Sequence, residues 1–79
     1  MVYYEFCLIK SRFKERYKVH CEQRPYGSFL KLPKWLQLET SQVYTNIRSA
    51  KYNLYNIQTK MQELGLKSVI YFELLLGDF

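Results

Sequence analysis

The stretch from Ser41 to Leu64 constrains the fold most strongly, because its apolar residues recur at alternating spacings of four and three. That spacing places them on one side of an α-helix. Thr40 or Ser41 can cap the start of this helix, and Gly65 can close its end in the left-handed conformation. The pattern predicts a helix over residues 41–64, about 36 Å long at about 1.5 Å per residue. The apolar stripe consists of Val43, Ile47, Ala50, Leu54, Ile57, Met61 and Leu64.

The rest of the chain has the composition of β-strands and turns. Residues 2–9 are rich in aromatic and β-branched side chains and residues 15–22 alternate apolar with polar, so together they predict a hairpin within residues 2–22. A turn and a short third strand are predicted over residues 24–32. Residues 67–76 predict a final strand. Its nearly continuous apolar character favours a strand that is central or covered on both faces, and a dimer contact on one face is the alternative.

The alternation in the second strand predicts which side chains of the hairpin share a face. A slip of one residue would bury Lys18 and His20, which is unfavourable for unpaired polar and charged groups. The favoured register places Cys7 and Cys21 on opposite faces, so no disulfide is expected between them. Its core face holds Tyr4, Phe6, Leu8, Tyr17, Val19 and Cys21.

These elements predict a single α+β domain over residues 1–79, in the order β-β-(β)-α-β. The sheet is expected to be small and mostly antiparallel, with the long helix packed across one face. In outline, a three-stranded sheet followed by a helix resembles the small DNA-binding domains of phage-type integrases, although here a final strand is added. The seven-residue repeat of the helix also fits pairing with a symmetry mate, so a homodimer is an alternative use of the apolar stripe.

The net charge of +5 comes entirely from the first half of the chain. Up to Gln37 there are eight Lys or Arg against three Glu, and from Leu38 onward there are four basic against four acidic residues. A localised basic surface favours an acidic partner, either nucleic acid or an acidic protein surface. A solvated basic face without a partner is the alternative.

The chain lacks the residue patterns of the common catalytic and cofactor sites. Its three glycines stand apart, so no phosphate-binding loop is predicted. One histidine and two separated cysteines are too few for a zinc site, and no metal or cofactor is expected. His20 and Cys21 are neighbours in a strand and point to opposite faces, which excludes a nucleophile and base pair between them. The expectation is that the protein is not an enzyme, and a deep pocket joining Cys7 or His20 to a carboxylate would reopen that question.

The chain also lacks the patterns of membrane proteins. Its apolar runs are too short to span a bilayer, and Met1 leads directly into strand-like sequence rather than into a signal peptide. An intracellular, cytoplasmic protein without a membrane partner is therefore expected.

The outward face of the predicted hairpin carries the first candidate site. Cations spaced about 6.6 Å apart along a strand can follow a phosphate backbone, and an exposed tyrosine can stack on an unpaired base. A solvated antiparallel sheet has the same sequence pattern. The predicted nucleic-acid-binding residues are Tyr3, Arg12, Lys14, Arg16, Lys18, His20 and Arg24.

One flank of the predicted helix, beside the apolar stripe, carries the second candidate site. Tyrosine and arginine are among the residues that most often anchor protein interfaces. The alternative is that these tyrosines only widen the edge of the core. The predicted protein-binding residues are Tyr44, Arg48, Lys51, Tyr52 and Tyr55.

The leading hypothesis is a small basic binding protein that occupies a surface of nucleic acid or of a nucleic-acid-handling protein. Small chains without catalytic motifs are common among the accessory proteins of phages and mobile elements. A role as such an accessory protein is therefore a hypothesis that rests on the size of the chain alone. One alternative is an inhibitor of a host protein that binds through the helix flank. Another is a homodimeric structural module held by the apolar stripe or by Val69, Tyr71 and Leu75 of the final strand.

Overall fold

The computed structural model describes residues 2–25 and 32–79, with only the backbone described at residues 71–73. Most of the predicted turn and third strand at 24–32 therefore lies outside the described residues. The α+β class is confirmed, and so is the packing of the long helix across the sheet. The elements are β1 (Tyr3–Ser11), β2 (Tyr17–Arg24), α1 (Lys34–Thr40), α2 (Ile47–Glu63) and β3 (Ser68–Gly77).

The three strands form one sheet in the order β2-β1-β3. β1 and β2 are an antiparallel hairpin, as expected, whereas β3 lies parallel to β1. The connection through α2 explains the parallel pair, because it carries the chain back so that Ser68 lies opposite Tyr4, near the start of β1. The sheet is therefore mixed.

The predicted hairpin register is confirmed. Phe6 lies opposite Cys21 and Leu8 opposite Val19, which places these four side chains on the face that packs against the helices. Cys7 lies opposite His20 on the other face, and both cysteines are free thiols. We call this second face, which turns away from α2, the open face.

The apolar stripe of α2 forms the centre of the core. Ala50, Leu54, Ile57 and Met61 are almost fully buried and belong to one cluster with core-face residues of the hairpin. The chain's own sheet therefore covers these four residues of the stripe, whereas Val43 and Leu64 are 50% and 53% exposed. Gly65 closes the helix in the left-handed conformation, with φ of 70°, as the sequence predicts.

The long helix begins six residues later than predicted. Asn46, rather than Thr40 or Ser41, is its N-cap, and the side-chain oxygen of Asn46 accepts a hydrogen bond from the amide of Ser49 at 2.9 Å. Polar residues that favour caps and turns dominate residues 41–46, and this segment separates α2 from the short helix α1. With 17 residues, α2 is about 26 Å long and fits within the 36 Å long axis of the molecule.

The prediction that the final strand is central or covered on both faces is wrong. Among the described residues, β1 is the central strand, and β3 lies at an edge of the three-stranded sheet. The apolar run is instead exposed at four side chains along β3. These residues are Val69, Leu74, Leu75 and Leu76.

Candidate nucleic-acid interface

The loop between β1 and β2, residues 12–16, is held in place by two backbone hydrogen bonds. The amide of Ser11 donates to the carbonyl of Arg16 at 2.8 Å, which closes the loop. The amide of Arg12 donates to the carbonyl of Gly77 at 2.9 Å, which ties the loop to the end of β3. These bonds fix the position of the loop relative to the sheet.

The segment that precedes α2 is bound to the same end of the hairpin. The amides and carbonyls of Tyr17 and Tyr44 exchange two backbone hydrogen bonds, each 2.8 Å long. This bridge places the start of α2, three residues after Tyr44, beside the start of β2. Arg48 and Lys51 are exposed within the first two turns of the helix, so their charges add to those of the hairpin loop.

Cations from the hairpin and from α2 therefore meet at one end of the molecule. The positive end of the α2 dipole lies at the same place and strengthens the local positive potential. We call this surface the basic end. It consists of Arg12, Lys14, Arg16, Lys18, Arg48 and Lys51.

Two carboxylates at the basic end are each paired with a neighbouring cation. Asp78 accepts a hydrogen bond from Arg12 at 2.9 Å, and Glu15 lies 3.4 Å from the Nζ atom of Lys10. A hydrogen bond from Tyr17, together with Lys10, lowers the pKa of Glu15 from its usual value. Arg12, Asp78 and Glu15 are largely exposed, and surface ion pairs of this kind contribute at most about 1 kcal/mol. A phosphate group can therefore replace Asp78 as the partner of Arg12.

Lys18 lies at the edge of the basic end and contacts the last residue of the chain. Its Nζ atom is 5.7 Å from the centre of the Phe79 ring, within the range of a cation–π interaction. The hydroxyl of Ser11 donates a hydrogen bond to the Phe79 carbonyl at 2.5 Å, which fixes this segment.

Three of the predicted nucleic-acid-binding residues lie elsewhere, towards the other end of the hairpin. Arg24 is bonded to Glu5 and, at 2.7 Å, to Glu22. His20 lies 3.2 Å from Glu22, and Tyr3 lies opposite Arg24 in the ladder. Internal carboxylates thus neutralise Arg24, so this part of the predicted surface does not present free positive charge. We call Glu5, His20, Glu22 and Arg24 the carboxylate network.

A cleft of about 430 Å³ lies on the open face beside the carboxylate network. Cys7 and His20 line it together with Glu22, which is the juxtaposition that would favour an enzyme. Burial raises the pKa of the Cys7 thiol, and the charges of Glu22 and Glu5 raise it further. A nucleophilic cysteine needs the opposite shift, so these surroundings favour a protonated thiol at Cys7. Among the described residues, no group of three or more His, Cys, Asp or Glu is placed to hold a metal ion.

The basic end also contains an aromatic residue that the sequence analysis did not select. Phe13 is 74% exposed at the middle of the hairpin loop, between Arg12 and Lys14. Its position in the sequence could have indicated that it is exposed, because an aromatic residue between two cations in a predicted loop has no strand neighbour against which to pack.

Four of the five predicted protein-binding residues lie on one exposed side of α2, and the fifth, Tyr44, does not. Tyr52 and Tyr55 are 68% and 52% exposed, and they share a side of the helix with Arg48 and Lys51. Tyr44 precedes the helix, is half-buried and packs against the core, and burial raises the pKa of its hydroxyl. Tyr44 therefore supports the fold rather than the exposed flank.

Comparisons with known proteins add no family to this description. No protein-family model, curated protein or solved structure matches the chain. None of the helices in the described part of the chain has the length and apolar character needed to cross a bilayer.

Proposed function

We propose that the protein is a non-enzymatic module that binds nucleic acid through its basic end. The observation that supports this proposal most strongly is the meeting of the hairpin loop and the start of α2 across the Tyr17–Tyr44 bridge. It brings cations that are distant in sequence to the same end of the molecule, while the carboxylate network neutralises the cation at the other end of the hairpin.

Binding at the basic end would be driven by contacts to phosphate groups. Each lysine or arginine that neutralises a phosphate releases condensed counterions, so affinity falls as salt concentration rises. The exposed side chains of Lys14 and Arg48 are free to adjust to the path of a backbone. This mode of binding carries little sequence preference, because phosphate contacts do not report on the bases.

The experiment that tests the proposal is the reversal of two charges at the basic end. In the double variant R16E/K18E, affinity for a fluorescein-labelled oligonucleotide is expected to fall at least about a hundredfold at low salt, measured by fluorescence anisotropy.

The matched control changes the net charge of the protein by the same amount at a distance from the basic end. Lys60 lies in the last turn of α2, and Lys67 precedes β3. The variant K60E/K67E should lose much less affinity than R16E/K18E. Equal losses in the two variants would show that net charge, rather than the basic end, governs binding.

A second candidate function is inhibition of a protein through the exposed flank of α2. Tyr52 and Tyr55 favour it, because two large aromatic side chains remain in solvent on a helix whose opposite side is fully buried. Y52A or Y55A is expected to weaken such a complex by about 2 kcal/mol. A pull-down from lysate with and without nuclease separates the two functions, because capture of a nucleic-acid partner requires intact nucleic acid.

We also propose an intracellular location. Two free thiols, Cys7 and Cys21, lie on opposite faces of the sheet and cannot pair within the chain. Such thiols are typical of a reducing compartment.

A further inference from the structure

We infer that the basic end selects single-stranded nucleic acid, with an unpaired base stacked on the ring of Phe13. This inference rests on the proposed function and specifies its ligand. It depends on the exposure of Phe13, on the support of the loop beneath it, and on the cations at both sides of the ring.

The Phe13 ring projects into solvent from an anchored loop. It is 74% exposed, and its own amide donates a hydrogen bond to the hydroxyl of Ser11 at 3.2 Å. Ser11 is fully buried. The backbone below the ring is therefore fixed before any ligand binds, so little loop entropy is lost when a base stacks on the ring.

Cations flank the ring along the chain. Arg12 and Lys14 are its immediate neighbours, and Arg16 follows in the same loop. A strand whose base stacks on Phe13 carries phosphates on both sides of that base, so these cations can contact the adjacent phosphates. Aromatic platforms within basic surfaces are the usual means by which proteins bind single strands without reading their sequence.

A duplex cannot use Phe13 in this way without distortion. Its bases are stacked on one another, so their faces are available only at the ends of the helix. Inserting the ring between base pairs would require unstacking a step. Duplex binding would therefore rely on the cations alone, and the aromatic contribution would be confined to single strands.

The test compares F13A with the unchanged protein on two probes, a 12-nucleotide oligothymidylate and a 12-base-pair duplex. We expect F13A to lose about tenfold in affinity for the single strand, equivalent to about 1.4 kcal/mol, and less than about twofold for the duplex. F13W should retain single-strand affinity, because an indole also stacks on a base. L38A, which removes another exposed apolar side chain, should leave both affinities unchanged.

The outcomes separate this inference from the proposed function. Equal losses of F13A on both probes, or no loss on either, would overturn the stacking of an unpaired base while leaving nucleic-acid binding in place. Failure of the unchanged protein to bind either probe would overturn the proposed function itself. Binding of the unchanged protein to anionic phospholipid vesicles but to neither probe, with loss in F13A, would assign Phe13 to a membrane surface and overturn both.

Discussion

The two ends of the β1–β2 hairpin carry similar cations and use them differently. At the basic end, the side chain of Arg16 lies in the hairpin loop, donates to the backbone carbonyl of Glu15 and forms no ion pair with the described residues. At the other end, Arg24 is held between Glu5 and Glu22. The difference indicates that Arg24 is used within the fold, whereas Arg16 has no carboxylate partner among the described residues.

The ladder explains why Arg24 is held. Glu5 and Glu22 lie directly opposite each other across β1 and β2. Like charges in that position destabilise a hairpin. Arg24 lies on the same face, two residues beyond Glu22, and bonds to both carboxylates. Arg24 therefore has a structural role, whereas the side chain of Arg16 is available to bind a partner.

The largest effect expected from this comparison is on stability. R24A removes the arginine that two opposed carboxylates share, and the side chain of Glu5 is only 13% exposed. We expect the free energy of unfolding to fall by about 2 kcal/mol, because the remaining like charges are partly buried. Urea denaturation followed by circular dichroism measures this change.

The matched substitution at the basic end is R16A. It removes the same kind of side chain, but the described residues form no ion pair with Arg16. The free energy of unfolding is therefore expected to change by less than about 0.5 kcal/mol. A loss in R16A as large as that in R24A would show that both ends of the hairpin are structural.

A smaller effect on stability tests where α2 begins, and therefore where its charges lie relative to the basic end. N46A removes the side-chain cap that begins α2, and a loss of about 1 kcal/mol is expected. S41A, at the start predicted from the sequence, should have a smaller effect. If N46A caused no loss of stability, Asn46 would not cap the helix, and the placement of Arg48 and Lys51 in its first turns would lose its support.

The smallest effect concerns the two thiols. Burial, followed by the charge of Glu22, raises the pKa of Cys21 to about 12. The pKa of Cys7 is also raised. At pH 8, iodoacetamide should therefore modify both thiols of the folded protein much more slowly than those of the urea-unfolded chain, as followed by mass spectrometry. Rapid modification of Cys7 in the folded protein would contradict the protonated state assigned to it.

The raised pKa of Cys21 also predicts that the stability of the fold decreases at alkaline pH. The folded-state pKa is higher than that of an ordinary thiol, so unfolding releases a proton at alkaline pH. The contribution of Cys21 to stability is fully present below about pH 8.5 and is lost progressively as the pH rises to about 12. Thermal unfolding midpoints measured across this range should fall, and the fall should be smaller in C21A.

The sequence predicted those features that depend on periodicity. The register of Phe6 with Cys21 and the burial of Leu54 and Ile57 follow from alternation and from helical spacing, and both were correct. The start of α2 was wrong because Val43 and Ile47 continue the spacing across a segment that bonds to β2 instead.

The candidate site was harder to predict because it depends on contacts between distant residues. Nothing in local sequence indicates that Tyr44 bonds to Tyr17, and it is this bridge that places the start of α2 beside the start of β2. The pairing of Arg24 with Glu5 likewise depends on the ladder. Phe13 could have been selected from its position between two cations, although its exposure follows only from the folded loop.

The most direct test of the basic end is the salt dependence of binding to a single-stranded oligonucleotide. About four phosphate contacts would give a slope near −3 for log affinity against log salt concentration. R16A should reduce the magnitude of this slope by about 0.7, and R24A, confirmed as folded by circular dichroism, should leave it unchanged. A slope near zero in the unchanged protein, or a greater reduction in R24A than in R16A, would contradict the assignment of the binding surface to the basic end.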